Sequence, residues 1–147
     1  RIGWIVGPEA AISRLISLAT HTTYGVAGFI QDAAEYALKR GTELEQEVSA
    51  PFVRRRKIAK RVLDGQNVLQ AVPSTGAMYL MLDIRATGLS GEAFGNALLD
   101  THAIAVMPGE SFGLAAAGHI RVAMTVEDSA FEAAMIQLVN FAKGLAA

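Results

Sequence analysis

Pro108-Gly109-Glu110-Ser111-Phe112-Gly113, followed a few residues later by His119-Ile120-Arg121-Val122-Ala123, is the stretch on which the reading of this chain turns. The first run is a Pro/Gly turn with small polar residues. The second reads as a short buried strand, apolar except for the guanidinium of Arg121. A guanidinium stays charged at any working pH, so a strand that carries one among apolar residues usually has an anion for it to hold. A planar carboxylate is the natural guest, because two parallel N–H···O bonds match its geometry. Two other arrangements are open: an internal ion pair with an acidic side chain, or a strand-end arginine snorkelling to water.

Outward from this stretch, strands and helices alternate. Ala103–Met107 is expected to be a strand stopped by Pro108-Gly109, and Ile120–Met124 is expected to be another. Thr125-Val126-Glu127-Asp128 has the spacing of a capping box. It opens a last helix whose Phe131, Met135, Leu138 and Ala142 form one apolar stripe. Upstream, Ser90 is placed to cap a helix running to Thr101, with Phe94, Ala97 and Leu98 facing inward. Val68–Val72 and Ala77–Asp83 read as strands around the turn Pro73-Ser74-Thr75-Gly76.

The first third is more helical. Ile2–Val6 is a compact apolar run closed by Gly7-Pro8 and is expected to be a central buried strand. Pro8 and Glu9 then suit the start of an amphipathic helix reaching about Ala19. His21 to Gly28 reads as a loop, and Phe29–Lys39 as a helix ended or bent by Gly41. A long helix from about Thr42 to Leu63 has to accommodate Pro51 as a kink or a break. The pattern implies an α/β or α+β architecture with helices on one side of a small sheet.

These stretches, read together with Arg1-Ile2-Gly3-Trp4-Ile5-Val6-Gly7-Pro8, resemble the C-terminal part of a class I/II pyridoxal-phosphate aminotransferase, of the aspartate aminotransferase superfamily and fold type I. Phe29-Ile30-Gln31-Asp32-Ala33-Ala34, Arg54-Arg55-Arg56-Lys57, Pro73-Ser74-Thr75-Gly76-Ala77-Met78-Tyr79 and Met81-Leu82-Asp83-Ile84-Arg85 match in the same order. Met81–Ser90 and Ala117-Gly118-His119-Ile120-Arg121 are especially similar to arginine–pyruvate transaminases. The resemblance implies residues 1–40 as the end of the large cofactor-binding domain and 41–147 as the small C-terminal domain.

It further implies pyridoxal 5'-phosphate as cofactor and transfer of an amino group from an L-amino acid to a 2-oxo acid, pyruvate or 2-oxoglutarate, through a Schiff base. By the same resemblance Arg1 binds the cofactor phosphate and Arg121 grips the substrate α-carboxylate. Tyr24, in the loop Thr22-Thr23-Tyr24-Gly25, is either a selector for the partner subunit's substrate or ordinary loop packing. Phe112 either shields the reacting group from water or anchors its own loop. A homodimer with shared active sites in the cytoplasm is expected. The same two arginines would also serve a fold type I lyase or decarboxylase, or a non-catalytic sensor domain.

No residue of the chain is assigned as catalytic. None of the four lysines, Lys39, Lys57, Lys60 and Lys143, stands where the family keeps its Schiff-base lysine. That lysine is expected upstream of Arg1, in a longer polypeptide, and the chain alone is not expected to catalyse. The opening on Arg rather than Met agrees with this expectation.

Composition narrows the alternatives. Hydrophobic residues make up 52% and charged ones 18%, which suits helices laid against a sheet or another domain. A net charge of −1 gives no global pull toward nucleic acid or an anionic membrane. The chain has no cysteine, so it has no disulfide, thiolate metal site or cysteine nucleophile. No signal peptide is recognised, and no apolar run approaches the roughly 20 residues that span a bilayer.

His21, His102 and His119 are far apart without ligand spacing, so no metal site is expected. Arg54, Arg55, Arg56, Lys57, Lys60 and Arg61 gather six of the 13 basic residues on one helix. They could bind phosphates, but consecutive helical residues point around the circumference. A solvated helix collar is therefore the expected reading.

Overall fold

The structure is a computed structural model and describes residues 2–146, so Arg1 and its expected role lie outside the described residues. The chain forms two compact units, residues 1–47 and 48–147.

The first unit is helical. Pro8 precedes α1 (Glu9–Thr22) and its carbonyl accepts the Ala11 and Ile12 amides, while Glu9 sits in the positively polarised first turn. α2 (Gly28–Arg40) ends at Gly41, whose φ of 56° lets its N–H reach back to the Ala37 and Leu38 carbonyls. α3 (Thr42–Leu63) follows at once and begins in this unit. Neither α1 nor α2 contains a buried residue.

Ile2–Val6 is not a strand. It is irregular, with Trp4 67% and Val6 92% exposed. A strand is stabilised by the neighbour that takes its backbone hydrogen bonds, and the described residues of this unit contain no strand to pair with.

The second unit carries the sheet. Its strands are β1 (Gln70–Ala71), β2 (Tyr79–Asp83), β3 (Met107–Pro108) and β4 (His119–Ala123), in the order β1-β2-β4-β3 with every pair antiparallel. α4 (Gly91–His102) and α5 (Asp128–Leu145) complete the unit with the rest of α3.

Alternation along the strands divides the sheet into two faces. Leu80 and Leu82 of β2 and Ile120 and Val122 of β4 face the core. Ala59 of α3, Phe94 and Leu98 of α4, and Phe131, Met135, Leu138 and Ala142 of α5 belong to the same core. The expected stripe on the last helix is therefore fully buried. Each large side chain removed from water contributes about 1.5–3 kcal/mol. Phe94 also meets Phe141 edge to face, with ring centroids 5.3 Å apart.

Several local expectations are corrected. The Ser90 hydroxyl does cap α4, accepting from the Ala93 amide at 3.2 Å. Ala103–Met107, however, pairs only from Met107, because Ala103 is the left-handed C-cap of α4 (φ 55°). The capping box does not form: Glu127 is the N-cap of α5 and no side chain caps the helix. The Asp128 carboxylate instead accepts the Nε–H of Arg54 (2.8 Å) and of Arg55 (2.7 Å). α3 runs through Pro51 without a break.

The basic helix is also more than a solvated collar. Arg55 is only 7% exposed and donates to the Met124 carbonyl at 3.0 Å as well as to Asp128. Arg61 bonds Glu132 on α5, and Arg56 donates to the Gly76 and Ala77 carbonyls. These arginines tie α3 to α5 and to the turn before β2.

Candidate functional site

Because Ile120 and Val122 face the core, Arg121 between them must face the other way. It projects from the face of the sheet that no helix of the core covers, half-exposed, with Met81 of β2 and Met107 of β3 as its backbone partners. The strand expected to be buried is thus buried on one face only.

Two aromatic rings hold the guanidinium. Its central carbon lies 4.1 Å from the ring centroid of Tyr79 and 4.6 Å from that of Phe112. A cation over an aromatic face is attracted by the ring quadrupole. Among the described residues Arg121 has no carboxylate within salt-bridge reach and no hydrogen-bond acceptor. The internal ion pair is thereby excluded among the described residues. The rings fix the position of the charge and leave its N–H fork unspent.

Phe112 reaches Arg121 from a tight turn. Gly109–Phe112 forms one 3-10 turn closed by the Gly113 amide on the Glu110 carbonyl (3.1 Å), and Gly113 takes a φ of 107°. A second short turn, Leu114–Ala116, leads back to β4. Glu110 Oε1 accepts the Gly91 amide at the start of α4 (3.0 Å) and the Gly118 amide just before β4 (3.3 Å). Its own backbone amide first, then these two, hold the Glu110 carboxyl below the usual range.

His119 shares the open face with Arg121, as the strand spacing requires, and its Nδ1 lies 3.0 Å from the Ala117 carbonyl oxygen. Its backbone partner Asp83 is bound to Arg85, and that hydrogen bond above all lowers the Asp83 pKa to about 2.

The structure therefore brings Phe112 and Arg121 together. Tyr24 belongs to the first unit, where it is 89% exposed with a left-handed φ of 57°. Tyr79 was not singled out from the sequence. Its signal was there in principle, since an aromatic on a strand next to that of Arg121 lies on the same face whenever the register is right. Glu110 gave no such signal, because its partners are two backbone amides far away in the chain. Among the described residues no group of three His, Asp or Glu side chains is placed to hold a metal, and no helix is long and apolar enough to cross a membrane.

A four-stranded antiparallel sheet thus carries helices on one face and a ring-held arginine on the other, as the resemblance to the C-terminal part of a fold type I chain implies. Comparison with known structures agrees: the aromatic aminotransferase of Pyrococcus horikoshii superposes with a TM-score of 0.81 at 30% identity, over 95% of this chain and 36% of that one. The family model for aminotransferase class I and II matches residues 1–138, and the chain belongs to that family.

Among its relatives, the arginine–pyruvate transaminase AruH of Pseudomonas aeruginosa is 41% identical over 86% of this chain. An aspartate aminotransferase of P. horikoshii is 27% identical over 98% of it. The chain spans 32% and 37% of the length of these two relatives.

Proposed function

We propose that this chain supplies the substrate-carboxylate grip of an aminotransferase that moves an amino group from an L-amino acid to a 2-oxo acid. The observation that carries this reading is Arg121, an arginine held by two rings on an open sheet face without an acidic partner. Both substrates of such a reaction bear the same α-carboxylate, so one guanidinium fork can serve both half-reactions. The similarity to AruH favours pyruvate as acceptor and a basic or broad range of donors.

The described residues fit the substrate side of such a site. They do not provide its cofactor side. Lys57 and Lys60 lie on α3 and Lys143 on α5, helices that cover the sheet face opposite Arg121, and Lys39 pairs with Glu35. Pyridoxal phosphate, when bound, would supply the electron sink for loss of the α-proton. Its lysine would come from elsewhere in the protein, and Arg1 would hold its phosphate.

The work of this chain is orientation. Arg121 would fix the α-carboxylate and with it the direction of the Cα–H bond. Tyr79 and Phe112 would keep the guanidinium from swinging toward water, and Phe112 would exclude water beside it. The reading includes residues 1–40 as the end of a large domain and 41–147 as a small one. It also includes a homodimer in the cytoplasm, with Tyr24 reaching toward the partner's substrate.

The test is turnover by the full-length protein with pyridoxal phosphate, L-arginine and pyruvate. Formation of alanine in step with the oxo acid of arginine is expected. Release of carbon dioxide or ammonia without consumption of pyruvate would replace transfer by decarboxylation or elimination. Cofactor binding without any turnover would leave a sensor domain.

A further inference from the structure

Glu110 joins the turn that carries Phe112 to the start of α4 and to the residue before β4. Its carboxylate receives one amide from the first turn of α4 and one from the residue before β4. Its carbonyl closes the turn that carries Phe112, two residues on. The backbones here are too close for any added side chain: a Cβ at Gly91 would lie 2.6 Å from the His119 carbonyl oxygen, and one at Gly109 would lie 2.7 Å from the same atom.

One side-chain oxygen at the end of a Glu-length stem has two lone pairs, and Glu110 Oε1 offers them to these two backbone N–H groups. From this arrangement we infer that Glu110 is a positioning residue: it sets the height of the Phe112 ring over Arg121, and through it the affinity of the site for a carboxylate. The inference rests on the reading of Arg121 as the carboxylate grip.

Glu110 does not touch the substrate. It acts through the turn. When the two amides lose their acceptor, the turn from Gly109 to Phe112 is no longer pinned to α4 and β4. The ring then leaves the guanidinium, and Arg121 gains freedom that it must lose again on binding. Glu110→Gln keeps a side-chain oxygen of the same reach and so should largely preserve the geometry, whereas Glu110→Ala should not.

The experiment uses the full-length protein and propionate, which carries the carboxylate and no amino or oxo group. Its dissociation constant is read from the NMR titration of its methyl signal, alongside KM and kcat for amino acid and oxo acid. Glu110→Ala should raise the propionate constant and both KM values about three- to tenfold with little change in kcat, and Glu110→Gln should restore most of the loss. In the double variant with Phe112→Ala, removing Glu110 should add nothing, because both changes act through one ring.

Additive losses in the double variant, or propionate affinity in Glu110→Ala equal to that of the parent, would overturn the inference. Arg121→Lys is measured in parallel. If it leaves propionate affinity unchanged, the carboxylate reading itself fails. If it weakens propionate while Glu110→Ala does not, only the role of Glu110 fails.

Discussion

The guanidinium carbon of Arg121 lies 4.6 Å from the centroid of the Phe112 ring, although Phe112 ends one short turn and a second turn, Leu114–Ala116, separates it from the strand of Arg121. The contact is half-exposed, and a cation–π pair in such a setting contributes about 0.5–1 kcal/mol. Phe112→Leu keeps an apolar cover and removes the quadrupole. It should therefore raise KM for both substrates by about two- to fivefold at nearly constant kcat. Arg121→Lys keeps the charge and loses the fork, so the increase should be larger, about ten- to hundredfold. Steady-state kinetics on both half-reactions checks the ordering; an equal effect of the two variants would dissolve the distinction between ring and fork.

A second prediction concerns stability. Arg55 is buried between Asp128 and the Met124 carbonyl, and it joins α3 to the start of α5. Arg55→Ala leaves the carbonyl without its donor and opens space in the core margin. A loss of about 2–4 kcal/mol follows, read as a lower denaturant midpoint. Arg54 is exposed and meets the same carboxylate from outside. Its removal should shift the midpoint by no more than about 1 kcal/mol. Equal losses at both positions would contradict the geometry.

These contacts show what the sequence could and could not disclose. Periodicity found the α5 stripe, because burial of Phe131, Met135, Leu138 and Ala142 depends on spacing within one helix. It also found the Ser90 cap, which needs only a partner three residues away. It failed where a distant residue competes. Asp128 looked like part of a cap, yet Arg54 and Arg55, more than seventy positions earlier, take its oxygens. Ile2–Val6 has the composition of a strand and lacks a neighbour among the described residues. At the site, Arg121 was legible as a charge in an apolar setting. The rings that hold it were set by register and by a turn, neither of which is written locally.

The pH dependence of folding follows from Asp83. The Arg85 hydrogen bond, the largest cause, lowers its pKa from the ordinary carboxylate range to about 2. A depressed folded pKa means that the unfolded chain binds the proton more readily. The stabilising contribution is therefore complete above the unfolded value of about 4 and is lost as pH falls toward 2. Glu110 and Asp128 are lowered as well and act in the same direction. Denaturant midpoints measured from pH 6 downward should decline over that acid range, and Asp83→Asn should flatten part of the decline. An unchanged slope in that variant would show that Asp83 is as acidic unfolded as folded.

Gly109 offers the sharpest steric prediction. It is buried at the point where β3 turns toward Phe112, and an added Cβ would collide with the Ala116 carbonyl oxygen and crowd that of His119. Both obstacles are backbone atoms in a turn and at the start of a strand, so they cannot rotate aside as a side-chain end would. Gly109→Ala must displace the Leu114–Ala116 turn or the start of β4, at a cost of about 2–4 kcal/mol. Since Phe112 rides on the same turn, carboxylate affinity should fall together with stability. Gly76 provides the comparison: its φ is not positive, and nothing lies within 4 Å of a Cβ built there. Gly76→Ala should leave the denaturant midpoint within about 0.5 kcal/mol of the parent. A Gly109→Ala variant with unaltered midpoint and unaltered propionate binding would mean that the turn is not packed against these two carbonyls.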